Sequence, residues 1–355
     1  MHFDRAFKSL ERRLSLGPEY KALEEGKAEW SEVRCTPNWV LSSNYFQVMD
    51  LKRRLLETYE GVSLEEAVPG EVVSTGVGQC YLVHSECQSE FYTRLEGARE
   101  AIISNFKFLY GIGEKTEAKL KRRGYKTIED LTGHPKWGKA AREFLDLLDM
   151  RHFRRVQELL WHRVPKSHPL CFRLAGLNQE EDFAIIDIET MGLFSKPIIL
   201  LGVAHSEGGK IKVHQYLARN VAEEVAALKV FMEGLDRFNA IISYNGRAFD
   251  IPFIEQRLNY YGLNSNMDKA HFDLLHFIRR AWRQTIPDCG LTTVEEFILG
   301  LKRGDKVPGA LVPEFYREYL ETSNVGPLIA IINHNRQDII SLVKLFSKLN
   351  EALIQ

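Results

Sequence analysis

FAIIDIETMG, residues 183–192, decides how this chain is read. Its first seven residues form an apolar run that ends in charge, with Asp187 and Glu189 two places apart. Side chains two apart on a strand point to the same side. A buried strand here therefore delivers both carboxylates to one face, where two acids invite a divalent cation.

Working outward, strand patterns follow at PIILLGVAHS (197–206) and KIKVHQYLA (210–218), a helix at 221–238, a strand at AIISYNG (240–246) and a helix at DIPFIEQRLNYYG (250–262). Further helical patterns cover 274–285, 292–301, 313–323 and about 327–353. Three strands with tight connections, then a helix and a strand returning beside the first, predict an α/β fold: a ribonuclease-H-like mixed sheet flanked by helices.

A chain of 355 residues allows two or three domains and a sizeable core. Its 47 Lys and Arg nearly balance 48 Asp and Glu, which by itself gives no reason to expect a polyanion partner. The charges are not evenly spread, however. Residues 1–178 hold 28 basic against 25 acidic residues, leaving 19 against 23 in the remainder. An acidic half beside a more basic one suits an enzyme that holds cations and a polyanion. The five cysteines (Cys35, Cys80, Cys87, Cys171, Cys289) show no CxxC spacing and read as reduced thiols. The opening residues carry charges throughout, and no apolar stretch reaches the ~20 residues of a membrane span. The expectation is a cytoplasmic protein with no membrane partner; protein partners are not legible.

Residues 1–60 mix charged, helical stretches with the loop-like CTPNWVLSSN and yield only a packing extension. From Pro69 to about Thr93, alternation around Gly76 and Gly78 predicts a β hairpin, a small sheet covering another domain. Residues 98–148 are expected to be helical and contain LYGIGEKTEAKLKRRGYKTIEDL. The turn Gly111-Ile112-Gly113 resembles the helix-hairpin-helix motif, in which backbone N–H groups and a helix N-terminus contact a phosphate without reading a base. Residues 106–126 hold seven Lys or Arg against two Glu, a backbone clamp in which Gly111, Gly113, Lys115 and Lys119 are the named contacts. Glu117 stands where that motif usually has a small residue. A second basic stretch, 151–173, leads through VPKSHPL to the strand at Phe183. The divisions expected are 1–97 as an N-terminal extension with the hairpin, 98–175 as a nucleic-acid-binding helix-hairpin-helix region, and 176–355 as the catalytic domain.

The order Asp-x-Glu, then Asn-x-x-x-Asp after a strand, then His-x-x-x-Asp on a late helix is similar to the DEDD superfamily of 3′-to-5′ exonucleases. YNGRAFDIPFIEQR, FDLLHFIRRAWR, LTTVEEFILGL, GDKVPG and HNRQDIISL resemble its YprB-like group of ribonuclease-H-fold proteins, over residues 183 to about 350. The resemblance implies a metal-dependent exonuclease acting on a single strand or 3′ end of DNA or RNA. It implies that Asp187, Glu189, Asp250 and Asp338 bind two divalent cations, Mg²⁺ or Mn²⁺, hard ions that prefer oxygen ligands. It also implies that His334 is the general base. In histidine-type relatives the base lies five residues before the last Asp and in tyrosine-type relatives four; His334 takes the tyrosine spacing. Thr190, Met191 and Gly192, with Asn245 and Phe249, fall where relatives contact the terminal nucleotide; Phe249 equally suits the core. Asp250 and Asp273 also read as helix caps, and Arg279, Arg280 and Arg283 either touch phosphates or solvate their helix. The rival expectations are a nucleic-acid-binding scaffold with a silent nuclease site, and a small-molecule phosphodiesterase that has no use for the hairpin.

Overall fold

A computed structural model of the protein describes residues 39–354 other than 94, 194, 265 and 304–306. Cys35 and the charged stretch before Trp39 lie outside the described residues. Helix α1 (Trp39–Thr58) begins inside the stretch expected to be a loop, and α2 (Leu64–Ala67) follows, closed by a capping box between Ser63 and Glu66. Strands β1 (Gly70–Thr75) and β2 (Gly78–Cys87) form the expected hairpin. Next come α3 (Ala98–Ile103), α4 (Glu114–Arg122), α5 (Gly138–Asp149), α6 (Phe153–Trp161) and α7 (Pro169–Arg173), with short 3₁₀ turns between them.

Three consecutive strands, an alternating middle and four closing helices follow: β3 (Phe183–Thr190), β4 (Ile198–Glu207), β5 (Lys210–Leu217), α8 (Glu224–Leu235), β6 (Ala240–Ser243), α9 (Asp250–Tyr261), β7 (Ala270–Asp273), α10 (Leu274–Trp282), α11 (Leu291–Ile298), α12 (Val312–Thr322) and α13 (Gly326–Ile354). The mixed sheet has the order β1-β2-β5-β4-β3-β6-β7. β3, β6 and β7 run parallel, and the other neighbours are antiparallel. The hairpin is therefore not a separate cover: β2 pairs with β5 and extends the same sheet, register Tyr81 to Leu217 through Cys87 to Ile211.

β3 reads as an unbroken apolar run because it is central and covered on both sides. Phe183 and Ile185 face one core while Ala184, Ile186 and Ile188 face the other, against α8 and α9. α13 lies across the first face. Its early residues Leu328, Ile331 and Ile332 pack with α1 and α12, and its later ones, from Ile339 to Leu349, pack with Phe172, Phe183 and Phe277. Between these apolar halves, at residues 334–338, the helix is polar and meets the polar end of β3. That break holds the candidate site. The approach there depends on Gly202, opposite Asp187 on β4: a Cβ at this position would fall 2.3 Å from Asn335 Oδ1 and 2.4 Å from Ile339 Cδ1.

Candidate active site

Asp187 and Glu189 continue the face of β3 that Phe183 and Ile185 begin, so the strand period carries both acids toward α13. Asn335, fully buried, donates to Asp187 Oδ2 at 2.7 Å and to the Asp187 carbonyl at 3.1 Å. Gln215 on β5 in turn donates to Asn335 Oδ1 at 2.8 Å and to the Ile332 carbonyl at 2.8 Å. One turn of α13 presents His334 and Asp338 together. His334 Nε2 lies 3.6 Å from Asp338 Oδ2 and 3.9 Å from Glu189 Oε1.

Asp250 is buried in the first turn of α9, one residue after the N-cap, Phe249, which makes no side-chain cap. The backbone N–H groups of Asp250 itself and of Ile188 on β3 favour its charged form, against burial. The loop before it is fixed by Asp273. As expected Asp273 caps α10, accepting from Leu275 N at 3.2 Å, but it also accepts from Asn245 N at 2.8 Å and Arg247 N at 3.2 Å. Asn245 adopts φ +61°, the left-handed conformation that asparagine tolerates, and Ala248 and Phe249 donate back to its carbonyl.

The four carboxylates destabilise one another's charge. Burial, then Asp338, Glu189 and Asp250, pushes Asp187 well above the ordinary carboxylate range, against the hydrogen bond from Asn335. Burial and the charges of Asp338 and Asp250 do the same to Glu189. Burial takes Asp250 up to about 7. Burial also raises Asp338, though His334 and Arg303 favour its charged form. His334 is lowered, first by burial.

Sequence reasoning missed Arg303. Its guanidinium pairs with Asp338 and with the fully buried Glu295, reaching Glu295 Oε1 at 2.6 Å and Oε2 at 2.5 Å, and Ser341 donates to Glu295 as well. Arg303 Nη1 also lies 3.3 Å from His334 Nδ1. Arginine only donates, so in this contact Nδ1 accepts and a neutral His334 carries its proton on Nε2, toward the acids. Among the described residues no three His, Cys, Asp or Glu side chains close into a cage for an ion. The donor set nevertheless fits hard cations: oxygen ligands, buried and held above their ordinary range until positive charge is supplied.

The other residues singled out earlier fall as follows. Thr190 Oγ1 donates to the Gly192 carbonyl at 2.9 Å, closing the turn after β3, and Met191 packs with the cluster that includes Val312 and Ile329. Gly192 has φ +139°. Phe249 is half-buried against Phe253, their ring centroids 5.3 Å apart, in the second core. In the hairpin, Gly111 has φ +82°, Ile112 is buried, and Gly113 opens α4 without a side-chain cap; Lys115 and Lys119 are exposed on α4. Glu117, the departure from the motif, accepts from Phe106 N at 3.1 Å and pairs with Lys121 at 3.1 Å, so it ties α4 to the preceding segment. No described helix is long and apolar enough to cross a membrane.

Residues 184–350 match a family model described as the RNase_H superfamily. YprB of Bacillus subtilis, described as uncharacterized, is 32% identical over 209 residues, covering 57% of this chain and 50% of that protein. A DNA polymerase of Pyrococcus glycovorans is 26% identical over 53% of this chain and 28% of its own length. The chain thus spans about half of the first relative and under a third of the second. Among solved structures, the family B DNA polymerase of Pyrobaculum calidifontis is similar with a TM-score of 0.39 and 20% identity, covering 47% of this chain and 24% of that one.

Proposed function

We propose that this chain, a YprB-like protein of the ribonuclease H fold, is a metal-dependent 3′-to-5′ exonuclease hydrolysing phosphodiester bonds of DNA or RNA. The observation that carries the reading is the convergence of β3, α9 and α13, which brings Asp187, Glu189, Asp250, Asp338 and His334 to one buried cluster. The four carboxylates would hold two divalent cations, Mg²⁺ or Mn²⁺, whose bound charge would supply Lewis acidity at the attacking and leaving oxygens of an in-line displacement.

The chain's own groups then have definite tasks. Asn335, braced by Gln215, fixes the direction of Asp187. His334 takes the proton of the attacking water through Nε2, which requires Arg303 to release Nδ1 so that the ring's remaining proton can sit there. Thr190, Met191, Gly192, Asn245 and Phe249 border the terminal nucleotide. Gly111, Gly113, Lys115 and Lys119 of the helix-hairpin-helix hold the phosphate backbone. This assigns 98–175 to nucleic-acid binding and 176–355 to catalysis, inside a reducing cytoplasm.

The test is a 5′-labelled single strand of DNA and one of RNA, each with Mn²⁺, Mg²⁺ or EDTA, beside Asp187→Ala and Asp250→Ala. The expected result is a metal-dependent ladder shortening from the 3′ end and absent from both variants. A ladder that survives both substitutions would overturn the assignment of the site. The ion pair of Arg303 with Asp338 favours a second reading, a nucleic-acid-binding scaffold with a silent nuclease site. That reading gives intact strands in every lane, with salt-dependent binding that weakens when Lys115, Lys119 and Arg122 are neutralised.

A further inference from the structure

On α10 and its C-cap, His276, Arg279, Arg280 and Arg283 recur at i, i+3, i+4 and i+7, so they form one stripe about 10 Å long. The stripe does not face open solvent alone. Together with Lys166, from the segment between α6 and α7, these residues line a cavity of about 430 Å³. The three arginines are exposed, and among the described residues none of them forms an ion pair. Some exposed basic residues elsewhere are paired: Arg53 with Asp50 and Glu57, Arg54 with Asp50, and Lys210 with Glu86. Three arginines with no ion pair, set along one side of a concave site, repel one another unless an anion enters.

Position identifies the anion. α10 starts after its N-cap Asp273, the residue that holds the Asn245–Arg247 loop ahead of Asp250, so the helix that carries the stripe is anchored to that loop. At the other side the cavity meets the link from the helical region. There His168 is held below its ordinary value by burial and then by the charges of Arg280 and Lys107, so Lys107, just before the hairpin turn, shares this field. The cavity thus occupies the seam between the two segments that the exonuclease reading assigns to one strand.

We infer that this cavity is a phosphate subsite for the backbone of a single-stranded nucleic acid, engaged by Arg279, Arg280, Arg283 and Lys166 between the hairpin and the acid cluster. The inference rests on the nucleic-acid reading above and adds where the strand passes. Backbone contacts of this kind are indifferent to base identity and release counterions on binding.

The experiment measures the affinity of the full chain for labelled single-stranded DNA and RNA by fluorescence anisotropy, in EDTA, over a KCl series. Wild type is compared with the triple variant Arg279→Gln/Arg280→Gln/Arg283→Gln and with a triple neutralisation of Arg53, Arg54 and Lys210, exposed residues outside the proposed strand path. Each phosphate contact contributes roughly 0.7 to the slope of log affinity against log salt, so the first triple variant should lose about 2 from that slope. The control triple should keep the wild-type slope. An unchanged slope in the first triple, or an equal loss in the control triple, overturns the subsite. So does mononucleotide competing as well as the strand, which would mark a site for small phosphates instead. A matching thermal melt shows that the variants are folded. The nuclease reading is judged separately: loss of slope beside a wild type that never cleaves would keep this subsite and remove the exonuclease.

Discussion

Arg303 holds the carboxylate of Asp338 in an ion pair while its Nε and Nη2 also bind Glu295, which is fully buried. The guanidinium thus gives the acid cluster positive charge from the protein itself. Arg303→Met leaves Glu295 buried with Ser341 as its partner among the described residues, and breaking a buried pair from one side costs about 3–5 kcal/mol. Urea denaturation should show that loss, and Arg303→Met/Glu295→Met should be more stable than the single variant. Because Asp338 is released, Mn²⁺ should raise the melting temperature of Arg303→Met by more than it raises that of wild type. An equal rise in both would show that the pair does not compete with cations.

Gly202 sets how closely α13 approaches the sheet at Asp187. A methyl group there must displace Asn335 or Ile339, neither of which has room to move without shifting the helix. Gly202→Ala should cost about 1–3 kcal/mol by overpacking. It should also lower cleavage disproportionately, since the displaced side chain is the one that orients Asp187. A stable variant with wild-type turnover would refute the close-approach role.

The acids and His334 could be read from the chain because their chemistry ties them to short signatures: two carboxylates one strand period apart, and a His and an Asp one helical turn apart. What supports them was not legible, because it joins residues far apart in sequence. Gln215 reaches Asn335 across 120 positions and Arg303 reaches Asp338 across 35. Asn335 alone left a signal, standing next to His334. The fold was legible for the same local reason from β3 onward. The pairing of β2 with β5 was not, since alternation marks a strand and leaves its neighbour open. β7 was also missed, its four buried residues being too few for a period to show.

In EDTA, stability should fall as pH rises through the cluster's range. Asp250 has an ordinary value of 3.8 and is pushed up to about 7 in the folded protein. Between those values the folded state keeps a proton that the unfolded chain has lost, so its contribution is full below about 4 and gone above about 7. Other buried groups titrate too, including His271, whose pKa is lowered chiefly by burial, so the useful quantity is the difference between wild type and Asp250→Asn. That difference should decline by on the order of a few kcal/mol from the acid to the alkaline side of the window. Mn²⁺ at alkaline pH should restore it, since cations favour the ionised carboxylate. A flat difference in EDTA would mean that Asp250 is not held above its ordinary range.

Gln157 on α6 links the helical region to the loop that carries the second motif. Its side chain spans one residue of β7, accepting from His271 N at 2.9 Å and donating to the His271 carbonyl at 3.0 Å. The same Oε1 accepts from Arg247 Nη2 at 3.2 Å, and Arg247 lies over the Trp161 ring, 3.9 Å from its centroid. Gln157→Leu keeps the volume but strands the buried His271 N–H, at about 1–3 kcal/mol, while the His271 carbonyl keeps Arg247 Nη2 at 2.6 Å. Gln157→Glu keeps the acceptor and loses the donor, so it should recover part of the loss. If α6 positions the loop as well as packing against it, Gln157→Leu should also reduce turnover at saturating strand concentration while binding in EDTA stays near wild type. Lost stability with unchanged turnover would confine Gln157 to packing.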